Sequence, residues 1–216
     1  MAKRDYKNGY FSVTEVLNVL RKPGLEAWCK NNTAEFCNEE SNKAKLIGKQ
    51  IHSAIENYIL TGEAKVSTEY NIEITNALKS FMLFRKEHPE IKLKLSEIAL
   101  SSKLYKFNGT IDAPCPPSLC DWKTGKSGKK DKPEIYFEYK VQTATYINLW
   151  NENYPENAID VGYVIPLSKD KISYNFEPIY KEEINDLFHK VFLPALTICT
   201  YQKERHFYGK SVAVNS

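Results

Sequence analysis

The chain has no run of apolar residues long enough to cross a bilayer as a helix, so a membrane partner is not expected. Its cysteines are few and scattered (Cys29, Cys37, Cys115, Cys120 and Cys199), odd in number and without a single Cys-x-x-Cys pair. That spacing argues against a disulfide framework, a zinc knuckle and a Cys-ligated iron–sulfur cluster, and suits a reduced, cytoplasmic protein. The opening Met1-Ala2-Lys3-Arg4-Asp5 has none of the features of a signal peptide. There is no internal repeat and no low-complexity linker, so residues 1–216 are expected to form one domain. Nor is there a large excess of charge of one sign: the net charge of +3 is compatible with nucleic acid but is not that of a polycationic tail.

What is present is a concentration of chemistry between Asn108 and Lys123. Asn108-Gly109-Thr110-Ile111-Asp112 and Leu119-Cys120-Asp121-Trp122-Lys123 are two short apolar runs, each delivering a carboxylate, joined by a short turn containing Pro114, Pro116 and Pro117. They are expected to pair as adjacent strands. Side chains alternate along a strand, so Asp121 and Lys123 project to one face, where Asp112 can join them. Buried charge must be paired or must hold a cation. Carboxylate oxygens suit Mg²⁺ or Mn²⁺, and a nearby ammonium can manage a water molecule or a developing negative charge, a combination fit for phosphodiester hydrolysis.

Around this stretch the patterning predicts helices and strands in alternation. Ser12–Leu20 has helical spacing with Ser12 and Glu15 set for a capping box, and Pro23-Gly24 is expected to stop it; Ser12 and Thr14 could meet a phosphate. A short helix should carry Trp28, and a longer one should run from Asn42 to about Leu60, ended by Thr61-Gly62. On the latter, Gly48, His52 and Glu56 share a face; Gly48 would allow close approach of a neighbour, and Glu56 could orient the imidazole. A helix from Asn71 to Glu87 reads as packing only. Strands should follow between Ile91 and Phe107, with Glu97 one strand before Asp112 and Asn108-Gly109 as a hairpin signal. The basic stretch Thr124–Lys132, including Lys126, lacks the spacing of a nucleotide-binding loop and suits a polynucleotide backbone better. A helix over Ile135–Asn151 places Gln142 and Tyr146 on one face across the acids. Strands are expected over Ile159–Leu167 and Lys171–Ile179, then a last helix from Lys181 to about Tyr201, kinked at Pro194, with a frayed tail after Tyr208.

With these residues in order, the chain resembles the PD-(D/E)XK nuclease superfamily, in particular its RecB-like branch. The resemblance rests on Gly48…His52, Gly109-Thr110-Ile111-Asp112, Asp121-Trp122-Lys123 and Gln142…Tyr146, which occur in the order that branch shows. Ser12-Val13-Thr14 with Trp28, the run from Gly48 to His52, and Asp121 to Thr124 look most like the family of the mitochondrial genome maintenance exonuclease and its phage and bacterial relatives; Glu97 matches a glutamate there.

The resemblance implies an α/β fold: a restriction-endonuclease-like core in which a mixed β-sheet is flanked by helices, preceded by an N-terminal helical segment. It implies a metal-dependent DNA exonuclease acting on single strands or DNA ends, in replication, repair or recombination, working alone or with a partner protein recruited from those processes. Asp112, Asp121, the backbone carbonyl of Trp122 and His52 would hold the metal, with Glu97 as a further metal or water ligand. A His ligand favours Mn²⁺ somewhat over Mg²⁺. Lys123 would position or deprotonate the attacking water or stabilise the phosphorane. Gln142 and Tyr146 would steady the site and the nucleic-acid backbone. The iron–sulfur cysteines of some relatives are missing, so no cluster is expected. The same site could cut internally as an endonuclease, and a catalytically silent DNA-binding module is the reading from another class. The Lys-, Asn-, Ile- and Tyr-rich composition leans towards an AT-rich bacterial or phage genome, and so towards the cytoplasm of a bacterial or phage-infected cell.

Overall fold

The computed structural model describes residues 9–63, 71–128 and 130–211. The chain enters through a two-residue strand, β1 (Phe11–Ser12), and helix α1 (Val13–Leu17). Ser12 and Glu15 form the expected capping box, which fixes the start of α1. Pro23-Gly24, expected as a stop, instead begins α2 (Pro23–Lys30), because proline in the first turn loses no helical hydrogen bond. Helix α3 (Ala34–Thr61) starts eight residues earlier than the apolar periodicity suggests; Thr33 caps it, and Gly62 ends it in the left-handed conformation. Asn71 caps α4 (Ile72–Glu87).

Among the described residues, seven strands divide between two sheets. The first has the order β1-β3-β2, with β2 (Ile98–Ser101) antiparallel and β1 parallel to β3 (Phe107–Ile111). The second has the order β4-β5-β6-β7, formed by β4 (Ala113–Cys115), β5 (Ser118–Gly125), β6 (Val161–Ser168) and β7 (Glu177–Tyr180). β4 and β5 pair as a tight antiparallel hairpin, whereas β5 and β6 run parallel, joined by the crossover helix α5 (Phe137–Asn153).

Asn108-Gly109 is not a hairpin turn. The two residues lie inside β3, and the turn between β2 and β3 falls at 102–106, where Lys106 adopts φ 63°. A Cβ on Gly109 would lie 2.7 Å from Tyr146 Cε1, so the glycine serves the approach of α5 to the sheet. The stretch before Ile98 is irregular, and so is most of 171–176, so both expected strands are shorter than the apolar alternation suggests. At the C-terminal end, α6 (Lys181–Leu187) passes through a π-turn at Phe188–Phe192 into α7 (Leu193–Ser211). The irregularity expected at Pro194 therefore takes the form of a widened turn just before it, which relieves the clash of the ring with the preceding turn. The expected fraying after Tyr208 falls partly on residues 212–216, which lie outside the described residues.

The sheets are covered on both faces. Val13, Val16, Phe107, Leu119, Val141, Ile147, Phe188 and Phe192 form one core with α5 and the C-terminal helices; Ile51, Ile55, Phe81, Phe84, Trp122 and Ile165 form the other with α3 and α4. Along β5 the alternation sends Leu119 to the first core, and Cys120 and Trp122 to the second. Gly162 on β6 lies under α5: a Cβ there would sit 2.7 Å from Thr143 Cγ2, 2.8 Å from Ile147 Cδ1 and 2.9 Å from Ile179 Cγ1. Gly162→Ala is expected to cost about 1–3 kcal/mol by overpacking, read as a lower thermal midpoint; an unchanged midpoint would show that α5 can lift from the sheet.

Candidate active site

Asp112 occupies the bend between β3 and β4, the point where the chain leaves one sheet for the other. It is therefore beside the β4–β5 hairpin rather than inside a strand paired with that of Asp121. Its Oδ2 accepts the Trp122 backbone N–H at 2.8 Å, which pins the carboxylate to β5. Its carbonyl accepts the Glu97 N–H at 2.9 Å and the Ser96 hydroxyl at 3.0 Å. Glu97, immediately before the first ladder pair Ile98–Ile111, is held at φ 54°, a left-handed backbone that costs free energy for any residue with a Cβ. The Glu97 carboxylate is directed towards α3.

There it meets His52. The imidazole Nδ1 lies 3.4 Å from Glu97 Oε1 and 3.5 Å from Asp112 Oδ1. One donor atom each from His52, Glu97 and Asp112 falls within 4.8 Å of the others. Glu56, expected to orient the imidazole, does not; Glu97 and Asp112 do so from across the fold. Burial opposes charging of His52, but the Asp112 carboxylate and hydrogen bonds to Asp112 and Glu97 outweigh it and raise the imidazole to about 10. Burial likewise opposes ionisation of Asp112, yet His52, Lys123 and the Trp122 N–H hold its carboxyl below the ordinary range.

Asp121 and Lys123 project together from β5, with Nζ 2.5 Å from Oδ2. The contact is a close pair between a fully buried carboxylate and a largely buried ammonium, and among the described residues Lys123 is the group placed to donate to Asp121. Burial pushes Asp121 up to about 6 despite the Lys123 charge, with Asp112 adding to the shift. The Lys123 ammonium also sits over the Tyr139 ring, 5.6 Å from its centroid. Tyr139 lies three residues before Gln142 on α5, a helical spacing that could have marked it in the sequence. Gln142 Nε2 donates to the Tyr146 hydroxyl at 2.8 Å. Burial, then the Asp121 and Asp112 charges, keep the Tyr146 phenol firmly protonated.

The remaining expected site residues are more dispersed. The Trp122 ring is core, edge-on to Phe81 and Phe84. Thr124 stands beside α3, its Oγ1 3.8 Å from where a Gly48 Cβ would be, an ordinary contact that Gly48 does not strictly require. Lys126 is exposed on the loop after β5, and Lys129 lies outside the described residues. That loop is tied down by Ser127, whose N–H donates to Asp170 and whose hydroxyl bonds Ser168. The Ser12 hydroxyl is taken up by its own cap, donating to Glu15 Oε2 at 2.7 Å, whereas Thr14 lines a cleft shared with Tyr139 and Gln142.

The donor set fits a divalent cation. With the imidazole neutral, three carboxylates and one ammonium sum to −2, the charge that one such ion cancels. Asp121 in addition offers a fully buried carboxylate whose Oδ1, among the described residues, has no donor. Among the described residues no helix is long and apolar enough to cross a membrane.

No family model matches the chain. No curated protein matches it either. Solved structures do. A candidate exonuclease from Eubacterium rectale aligns over 91% of this chain and 83% of its own, with TM-score 0.58 and 14% identity. LHK-Exo in complex with dAMP aligns over 95% and 94%, at TM-score 0.45 and 11% identity. A phage-related exonuclease from Haemophilus somnus 129PT aligns over 94% and 99%, at 0.43 and 12%. The likeness to the Eubacterium rectale protein shows a shared fold: a mixed α/β arrangement in which sheets are flanked by helices.

Proposed function

We propose that the protein is a metal-dependent deoxyribonuclease of the PD-(D/E)XK superfamily, RecB-like branch. In this reading it is an exonuclease acting on single-stranded DNA or free ends during replication, repair or recombination. The observation that carries the reading is the convergence of His52, Glu97 and Asp112 next to the buried Asp121–Lys123 pair. The shared fold supports it, since the Eubacterium rectale protein is named as a candidate exonuclease. Helix α5 packs against strands of both sheets, which supports one nuclease domain spanning the chain.

Asp112, Glu97 and His52 would hold Mg²⁺ or Mn²⁺, with Asp121 completing the set from β5; the nitrogen ligand tilts the preference to Mn²⁺. A bound divalent ion supplies Lewis-acid stabilisation of the phosphoryl oxygens and acidifies a water molecule. Lys123 is placed to orient that water, take its proton or donate to the developing phosphorane charge. Asp121 and the Tyr139 ring hold the ammonium in position. The Gln142–Tyr146 bond fixes two polar groups beside the carboxylates for the nucleic-acid backbone, and Thr124 at the end of β5 and Lys126 on the loop after it extend that contact.

The test is cleavage of end-labelled linear and covalently closed circular single-stranded DNA with Mn²⁺, Mg²⁺ or chelator. Metal-dependent loss of the linear form alone is expected, with Lys123→Ala slower by about 100-fold or more. Nicking of the circle would make the protein an endonuclease. Binding without cleavage of either form would leave only a DNA-binding module.

A further inference from the structure

Helices α1, α2 and the start of α5 enclose a cleft of about 540 Å³ that the chemistry above does not use. Its walls include Thr14 from α1, Asn18 and Lys22 from the α1–α2 connection, Trp28 from α2, Tyr136 just before α5, and Tyr139 on α5. The volume falls in the range of small-ligand sites rather than of a groove for a folded partner. Tyr139 belongs both to this wall and to the catalytic centre, where its ring lies 5.6 Å from Lys123 Nζ. Gln142, which anchors Tyr146, is also on the cleft wall. The cleft therefore adjoins the Lys123 region, with the Tyr139 ring lying between the two.

The chemistry of the walls selects the occupant. Lys22 and Glu138 contribute one charge of each sign, so the cleft carries no net attraction for phosphate. Three aromatic side chains present ring surface instead: Trp28, tilted against Phe36 at 6.0 Å, is half-buried, and Tyr136, edge-on to Tyr139 at 5.2 Å, is 46% exposed. Thr14, Asn18, Glu138 and Gln142 place donors and acceptors around those faces. Flat apolar faces ringed by hydrogen-bonding groups whose two charges offset each other, next to the proposed phosphodiester-cleaving centre, match a nucleobase. A base inside a duplex has both faces covered by its neighbours; only an unpaired base can stack on a protein ring.

We infer that this cleft is a nucleobase-stacking subsite, in which Trp28 and the Tyr136–Tyr139 pair hold an unpaired base of the strand whose phosphate lies at Lys123. The inference rests on the nuclease reading for its position in the reaction, and on the cleft alone for binding. It assigns the preference for unpaired strands to α1, α2 and the start of α5 rather than to the metal-binding residues.

The two other tryptophans are buried, Trp122 at 1% and Trp150 at 4% exposure, so Trp28 is the one indole a ligand can reach. Intrinsic fluorescence therefore reports on the cleft directly. In chelator, wild-type protein is titrated with an oligodeoxythymidylate, with an abasic oligomer of the same length, and with a blunt duplex. The oligothymidylate should quench, and the other two should not. Fluorescence anisotropy of the labelled oligomer should show Trp28→Ala binding about 10-fold or more weaker and Trp28→Phe within about 3-fold of wild type, because stacking needs a ring but not an indole. Equal binding of the abasic oligomer, or unchanged affinity in Trp28→Ala, would overturn the inference. Quenching by the oligothymidylate in a protein that cleaves neither linear nor circular DNA would uphold the subsite while sinking the nuclease reading. Cleavage without quenching would do the reverse.

Discussion

Replacing Asp121 by asparagine should abolish cleavage and, in chelator, raise the melting temperature. The carboxylate is fully buried, and burial has lifted its pKa from 3.8 to about 6 despite the adjacent Lys123 ammonium. The sign follows directly. A carboxyl whose folded pKa exceeds its unfolded one favours folding only while it is protonated, so stability falls as pH rises through 3.8 towards 6. Above that window the ionised group costs up to about 3 kcal/mol, at about 1.4 kcal/mol per pH unit. Asparagine keeps the shape without the charge but leaves Lys123 without its carboxylate, so the net gain should be about 1–2 kcal/mol, or about 2–8 °C for a chain of this size. Activity should drop on the order of 1,000-fold, since the substitution removes a cation-binding carboxylate. Adding Mn²⁺ should raise the wild-type midpoint by ligand linkage and raise that of the variant much less. A variant that melts below wild type in chelator, or gains as much from Mn²⁺, would show that Asp121 is an ordinary structural ion pair.

That conflict between stability and chemistry is why the centre of the site was the most legible part of the sequence. A buried Asp-x-Lys on a strand has few purposes other than holding charge, and strand alternation alone places both side chains on one face. Local capping was legible for a similar reason: Ser12–Glu15 and Gly62 act through backbone groups only a few residues away. What could not be read depends on distant contacts. Asn108-Gly109 has the composition of a hairpin turn, but the space it vacates belongs to Tyr146, remote in the chain. The imidazole of His52 had Glu56 one turn away as an apparent partner, and took Glu97 and Asp112 instead. Nothing near Glu97 announces a left-handed backbone, which is accompanied by a bond from its N–H to the carbonyl of Asp112, remote in the chain. The first turns of α3, from Ala34 to Asn42, are mostly polar and show no apolar stripe, so only Thr33 marks where the helix begins.

The His52 environment leads to the second large effect, a steep pH dependence of cation binding. Without a metal, Asp112 and Glu97 raise the imidazole to about 10, so near neutral pH it carries a proton on the nitrogen those carboxylates face. A cation held by that imidazole must displace the proton, so apparent affinity should rise about 10-fold per pH unit, or about 100-fold between pH 6.5 and 8.5. In chelator the same group acts on stability. Its folded pKa is raised above its ordinary value of 6.5, so its contribution is full below 6.5 and is lost as pH rises towards 10. Metal-free protein should therefore weaken across the interval in which the cation binds more tightly, and the stabilisation by Mn²⁺ should grow with pH from both causes. His52→Gln has no titrating nitrogen, and its affinity should be nearly flat over that interval. Calorimetric titration with Mn²⁺ at three pH values decides the point. A flat wild-type profile, or the same slope in His52→Gln, would remove His52 from the cation site and leave it as a charged strut between Glu97 and Asp112.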